Sequence, residues 1–338
     1  MMKAFEIGAQ TGLDSLRAAT RPVPTPGPGQ VLVAPQLVSL ISRDAQILRG
    51  TYAAGQSPQR IPVSEGVGRV VAIGEGVTEV AIGERVVCGH FADWIDGPFN
   101  PAIFGHDIGA THDGWLAERV LLPAASVIPV PPSLADEDVA GLASAGLTAW
   151  HALVEMCHVK PGDLVLCLGT GGVALAAMKL AKAHGARVAM TSSSDAKLDV
   201  VRELGADITI NYRTHPDWAA ELMAQTGGVG ADIVIETGGQ DTLGESIASI
   251  APNGRIVVIG LTPGTRHAIP NYLAFVTHNL TIRGIANGSR AMMVDLLRAI
   301  ETHGIKTVVG KTFAFDDAPE AYRYFAEANH VGKVMIAF

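Results

Sequence analysis

The sequence predicts an α/β protein in which a doubly wound parallel sheet of six strands is joined to a second, β-rich domain. Three observations predict it. Before about residue 130, short β-rich runs are broken by glycine and proline. After it, apolar runs alternate with amphipathic helical stretches. Between a strand and a helix of that second part lies a glycine-rich turn, Gly169-Thr170-Gly171-Gly172-Val173-Ala174. A length of 338 residues allows two cores, at about 100–200 residues per domain.

In the first part, Gln30 to Ala34, Gly68 to Ile73, Glu84 to Cys88 and Trp115 to Leu122 are strand candidates. Turn signals such as Pro24-Thr25-Pro26-Gly27-Pro28-Gly29 separate them, which suits a small barrel or sandwich. Residues Phe91 to Gly114 form one long irregular stretch, and loops of that length are commonly functional. In the second part, Leu164 to Leu168 is uniformly apolar, like a strand buried on both faces of a parallel sheet. The helix Gly171 to His184 has Val173, Ala177, Leu180 and Ala181 on one face and Gly185 as its stop. Strands follow at Arg187 to Met190, Ile208 to Ile210, Asp232 to Ile235, Arg255 to Ile259 and Leu280 to Gly284, with helices such as Asp195 to Leu204 and Asp217 to Thr226 between them. This alternation makes a doubly wound sheet. The last strand, Val334 to Phe338, is expected to return to the first domain.

Composition narrows the function classes. With 48% apolar and 17% charged residues the chain is not disordered. A net charge of −8 argues against nucleic acid or an anionic membrane as partner. Cys88, Cys157 and Cys167 make neither a disulfide framework nor a C-x-x-C pair, so a reducing cytoplasm is the expected setting. No apolar signal segment follows Met1, and the uncharged run Val139 to Val154 is shorter than the ~20 residues of a membrane span.

The Gly169 turn is G-x-G-x-x-A in strand–turn–helix context, the arrangement that seats a dinucleotide pyrophosphate on a helix N-terminus. An NAD site places a carboxylate at the end of the second strand for the ribose 2′-hydroxyl. Here that strand ends in Thr191-Ser192-Ser193-Ser194, with Lys197 a turn later. Hydroxyls and an ammonium suit a 2′-phosphate, so NADP(H) is expected. One of the serines has a second explanation, as cap of the helix from Asp195.

Several stretches together resemble the medium-chain dehydrogenase/reductase superfamily. Its signature G-H-E-x2-G-x5-G-x2-V stands as Val63-Ser64-Glu65-x2-Gly68-x5-Gly74-x2-Val77, with the first two positions changed. Ser39 to Asp44, Gly146 to Trp150, Lys160 to Asp163, Gly205 to Asp207 and Val331 to Val334 match as well. The resemblance implies a GroES-like catalytic domain from both chain ends, 1–128 and 284–338, around a Rossmann domain, 129–283. Zinc members ligate metal at positions held here by Ile41, Ser64 and Ser144. Isoleucine cannot ligate and a neutral hydroxyl ligates zinc poorly. The four-cysteine structural zinc lobe is missing too, so the chain resembles the zinc-free branch of quinone oxidoreductase-like and alcohol dehydrogenase-like proteins. Cys88, His90, His106 and His112 fit no zinc spacing, and the histidines read as surface groups.

The same resemblance implies the cofactor contacts. Thr148 would lie near the nicotinamide, and Gly169, Gly171, Gly172 and Val173 at the pyrophosphate. Ser192, Ser193, Lys197 and Tyr212 would surround the 2′-phosphate, while Gly238, Ile259, Leu261 and Ala286 would line the nicotinamide and ribose.

Hydride transfer to a carbonyl leaves negative charge on oxygen, which zinc enzymes stabilise with a Lewis acid. Without metal, a proton donor or hydrogen-bond donors must serve. Ser42, Arg43 and Tyr52 are the candidates, with Arg43 alternatively an ion-pair partner of Asp44 that orients the site. Glu65 would pair with a basic residue behind the pocket, and Trp94 would wall the pocket or pin its loop. The expected activity is enone, enal or quinone reduction, or alcohol/ketone interconversion. The alternative is a non-catalytic NADPH-binding scaffold or redox sensor. By resemblance, a homodimer would form through the sixth Rossmann strand, Leu280 to Ile285.

Overall fold

The computed structural model describes residues 1–52, 59–260 and 272–338. Its strands, in chain order, are β1 (Met2–Ile7), β2 (Leu16–Arg21), β3 (Gln30–Ser39), β4 (Glu65–Ile73), β5 (Arg85–Cys88), β6 (Val120–Pro123), β7 (Val127–Pro129), β8 (Leu164–Leu168), β9 (Arg187–Ser192), β10 (Ile208–Asn211), β11 (Ala231–Glu236), β12 (Ile250–Val258), β13 (Thr281–Gly284), β14 (Val309–Ala314) and β15 (Lys333–Ala337). The chain packs as two compact units, Met1–Leu147 with Asn287–Phe338, and Thr148–Ala286.

In the first unit a seven-stranded sheet runs β14-β15-β3-β4-β5-β7, with β6 also paired to β3. The C-terminal strand does return to this unit: β15 lies antiparallel to β3, with Ile336 opposite Val38. Pro35 sits inside β3, where a residue without an N–H fits only at a ladder irregularity. The β3–β4 register shifts there, between Pro35 and Leu37. Trp115, Leu116, Leu122 and Tyr322 fill the core against this sheet. The expected strand Trp115 to Leu122 forms only from Val120 onward. The N–H groups of Trp115 and Leu116 go instead to the carbonyls of Val63 and Pro62, which belong to no strand. The long loop holds a 3-10 turn, Pro101–Gly105, and buries Phe91, Trp94, Ile103 and Ile108.

In the second unit six parallel strands lie in the order β10-β9-β8-β11-β12-β13. Counted within the unit this is 3-2-1-4-5-6, the doubly wound arrangement the alternation predicts. β8 is buried throughout and coincides with the expected run. β12 begins at Ile250 rather than Arg255, because Ile250 pairs with Ala231 across a register shift that the apolar run does not record. No helix among the described residues is long and apolar enough to cross a membrane.

Candidate functional site

The carboxyl edge of the parallel sheet collects the sequence-predicted cofactor residues. Gly169 follows β8, Ser192 ends β9, Gly238 follows β11, Ile259 follows β12 and Ala286 follows β13. β8 and β11 are neighbours here, so the strand order reverses between them, the place where open α/β sheets bind ligands. Gly169 takes φ +79°, a left-handed conformation that glycine adopts without penalty. Gly171 differs. Its φ of −82° and ψ of 179° suit any residue, yet a Cβ there would meet no atom within 4 Å. The missing side chain therefore leaves space. That space lies over the first turn of the helix Gly172–Ala183, whose N-cap makes no side-chain hydrogen bond. Open N–H groups, the helix dipole and room for close approach fit a pyrophosphate.

At the end of β9, Ser192 is buried and its hydroxyl accepts from the Ser194 N–H at 3.3 Å. Ser194 is the N-cap of the helix Asp195–Glu203 but makes no side-chain capping bond, so capping does not account for the serines. Asp195, the next residue in the chain, accepts from Asn211 Nδ2 at 2.8 Å. Lys197 is half-buried and Tyr212 is exposed nearby in the sequence of β10's exit. Thr148 is buried in the first turn of the unit, ahead of a wide π turn at His151–Met156 whose His151 Nδ1 lies 3.2 Å from the Ala286 carbonyl. Leu261 lies outside the described residues.

Sequence reasoning missed Glu236, which ends β11 fully buried. One carboxylate oxygen accepts from Gly238 N at 2.8 Å, Gly239 N at 3.0 Å and Thr242 Oγ1 at 2.6 Å, and the other from the Ser246 hydroxyl. A buried carboxylate needs such donors, and these four fold the Gly238 turn around it. A charge closing an apolar strand before Gly-Gly was the available signal.

In the first unit Lys333 and Glu65 link the backbone beside the three positions at which the resemblance implies zinc ligands. The Lys333 ammonium donates to the Leu40 carbonyl at 3.1 Å, next to Ile41, and to Glu65 Oε1 at 2.5 Å, next to Ser64. Glu65 Oε2 accepts from Ser144 N at 2.7 Å. Lys333 is thus the basic partner expected for Glu65. The side chains at positions 41, 64 and 144 supply no thiolate or imidazole and do not fit a zinc ion. Among the described residues no group of three His, Cys, Asp or Glu is arranged to hold a metal. Val63 takes φ +74°, which explains the glycine of the family signature at this place. For a β-branched residue that conformation is strained by about 1–3 kcal/mol.

Arg43 does not pair with Asp44, as the sequence suggested. Its Nη1 bonds Asp107 and lies 2.6 Å from His90 Nε2, and its Nη2 donates to the Ile108 carbonyl at 2.7 Å. The sequence placed His90 on the surface; it is buried, and it lies 3.2 Å from Asp107. His106 and His112 are exposed. The guanidinium carbon lies 5.8 Å from the Tyr52 ring centroid. Burial raises the Tyr52 phenol and lowers His90, which Arg43 lowers further. Ser42 opens the helix Ser42–Leu48 and is exposed. Trp94 pins its loop: Nε1 donates to the Gly97 carbonyl at 3.0 Å, and its own carbonyl accepts from Arg290 N at 2.8 Å.

Asp44 instead accepts from Ile41 N at 2.9 Å with one oxygen, and burial pushes its carboxyl up to about 7. The folded state then holds a proton that the unfolded chain releases near pH 4. Stability conferred by that proton should fall as pH rises from about 4 to about 7, by roughly 1 kcal/mol per unit. Urea titrations at pH 5 and 7 should show this slope in wild type and its loss in Asp44→Asn, whose amide oxygen can still accept from Ile41. Equal slopes would refute it.

The chain matches the alcohol dehydrogenase GroES-like domain over residues 27–132 and the zinc-binding dehydrogenase family over residues 172–302. It is 39% identical to a zinc-type alcohol dehydrogenase-like protein of Schizosaccharomyces pombe, covering 96% of both chains. It is 31% identical to an alcohol dehydrogenase of a Moraxella species, covering 87% of this chain and 88% of that one. Among solved structures, an NAD-dependent alcohol dehydrogenase superposes with a TM-score of 0.90 at 33% identity, over all of both chains. A mycobacterial protein complexed with NADPH superposes at 0.81 and 26% identity, again over all of both.

Proposed function

The chain belongs to the medium-chain dehydrogenase/reductase superfamily, and we propose that it is an NADP(H)-dependent oxidoreductase working without a catalytic zinc. It transfers hydride between the nicotinamide and a small carbonyl compound, reducing an enone, enal or quinone or interconverting an alcohol and a ketone. The observation that carries this reading is the donor set at positions 41, 64 and 144, a butyl side chain and two hydroxyls. Preference for the 2′-phosphate is supported by uncapping Ser194, by Ser192, Ser193 and Lys197, and by the relative solved with NADPH. The relative described as NAD-dependent makes the choice worth testing directly.

When bound, the nicotinamide supplies or takes the hydride. The chain holds the pyrophosphate at Gly169–Val173, and Tyr52, whose phenol keeps its proton at neutral pH, delivers that proton to the reduced substrate. Conjugated acceptors suit this site best, because an enolate or hydroquinone anion spreads charge that an alkoxide concentrates. A reducing cytoplasm agrees with three free, buried cysteines, and a homodimer through Leu280 to Ile285 completes the reading.

Chelator-treated protein should oxidise NADPH with an enal or quinone, and faster than NADH. Loss of turnover on chelation, restored by zinc, would overturn the metal-free reading. Ser193→Asp should raise the NADPH Kd at least about tenfold, since a carboxylate repels the 2′-phosphate, with NADH binding unchanged or tighter. Equal weakening of both cofactors would remove Ser193 from the phosphate site.

A further inference from the structure

Arg43 is clamped along one edge. Asp107 and His90 both bind Nη1 and the Ile108 carbonyl binds Nη2, while Nε is buried with no hydrogen-bond partner among the described residues. All three clamping groups come from His90 to Ile108, at the base and within the long irregular loop, and all are buried. Next to the clamped guanidinium stands Tyr52, whose ring centroid lies 5.8 Å from the guanidinium carbon.

We infer that His90 and Asp107 are positioning residues that fix Arg43 beside the Tyr52 phenol, so that the long loop supplies the charge control of the proton donor. This rests on Tyr52 being the donor of the proposed reaction. In that step the nicotinamide C–H bond breaks with its electron pair going to the substrate carbon. The Tyr52 O–H bond then breaks, its proton passes to the substrate oxygen or the conjugated carbon, and a phenolate remains until solvent reprotonates it. Arg43 stabilises that phenolate. Asp107 tempers the effect, because its negative charge offsets part of the guanidinium charge felt by the phenol.

His90 has to be neutral to accept from Arg43 through Nε2. Burial and the adjacent guanidinium keep it so, against the pull of Asp107 and Glu65. Among the described residues, the charged groups that act on Tyr52 are Arg43, Asp107 and Asp44. A neutral acceptor at position 90 and an anion at 107 therefore hold one cation in place, with the phenol as the group that responds.

The test is an ultraviolet difference titration of tyrosinate, each protein against the same protein carrying Tyr52→Phe, run beside steady-state kinetics. Asp107→Asn should move the Tyr52 titration down by ~1 pH unit, and Arg43→Met should move it up. The alkaline limb of kcat should move with it. His90→Phe should cut kcat at least about tenfold with the NADPH Kd within about twofold, and His90→Gln, which restores an acceptor, should recover most of the loss. Thermal melts confirm that each variant is folded; His90→Gln also serves if Asp107→Asn is not. A Tyr52 titration and kcat unmoved by these changes in folded protein would overturn the clamp. If the titration moves as stated but no carbonyl compound is turned over, the clamp stands and the proposed activity falls.

Discussion

Gly171→Val should abolish tight NADPH binding while leaving the protein as stable as wild type, or slightly more so. The usual reason a glycine cannot be replaced is its backbone, and here that reason is missing: φ −82° and ψ 179° are extended values open to any residue. The second reason, collision, is missing too, since a Cβ would meet nothing within 4 Å. Valine would reduce the freedom of the unfolded chain and on that ground stabilise by about 0.4–1 kcal/mol. Its methyl groups would stand where the pyrophosphate has to approach the helix N-terminus. A hundredfold rise in Kd, about 2.7 kcal/mol, is expected by fluorescence titration, with an unchanged melting temperature. Gly169→Val is the contrast. At φ +79° a β-branched residue strains the turn, so that variant should lose stability as well as binding. Retention of tight NADPH binding by folded Gly171→Val would place the dinucleotide elsewhere.

The two units differ in how much their sequences disclose. Nearly everything at the carboxyl edge of the parallel sheet is local. β8 is one uninterrupted apolar run, Gly169 and Gly171 sit two residues apart in the turn that follows, and Ser192 ends the next strand of the alternation. Local pattern and global fold agree there, so reading the chain in order recovers the strand ends that gather these residues. In the first unit the decisive contacts join residues far apart. Arg43 is 64 residues from Asp107, and Glu65 is 268 from Lys333. No periodicity encodes such pairs, and the nearest carboxylate in sequence, Asp44, makes no ion pair with Arg43, whose guanidinium reaches Asp107 instead. His90 misled for a similar reason. A histidine at the edge of an irregular stretch suggests solvent, whereas this loop folds back through Phe91, Trp94 and Ile108 and buries its own base. At Val63 the departure from the family's glycine falls on a backbone position with φ +74°, a conformation no local pattern announces.

Lys333→Met should be the most destabilising single change in the first unit. The lysine stem packs closely against Gly141, and methionine keeps most of that contact, so the substitution removes chiefly the ammonium. The Lys333 and Glu65 side chains are 7% and 0% exposed, and the pair ties the start of β15 to the start of β4 and to the Leu40 carbonyl. Without the ammonium, Glu65 keeps only the Ser144 N–H as donor from this cluster. An ion left buried and unpaired costs about 3–5 kcal/mol, more than the intact pair contributes over neutral groups of the same shape. Two further measurements separate charge from packing. In Lys333→Met the stranded carboxyl should take up a proton in the folded state more readily than in the unfolded chain. The added stability of the protonated form is then present at low pH and lost as pH rises through the folded pKa, so the deficit measured in urea should shrink between pH 7.5 and pH 5. Glu65→Gln combined with Lys333→Met removes both charges and should be more stable than Lys333→Met alone. Equal stability of the single and double variants, at a deficit independent of pH, would mean that the lysine stem rather than its charge holds these strands together.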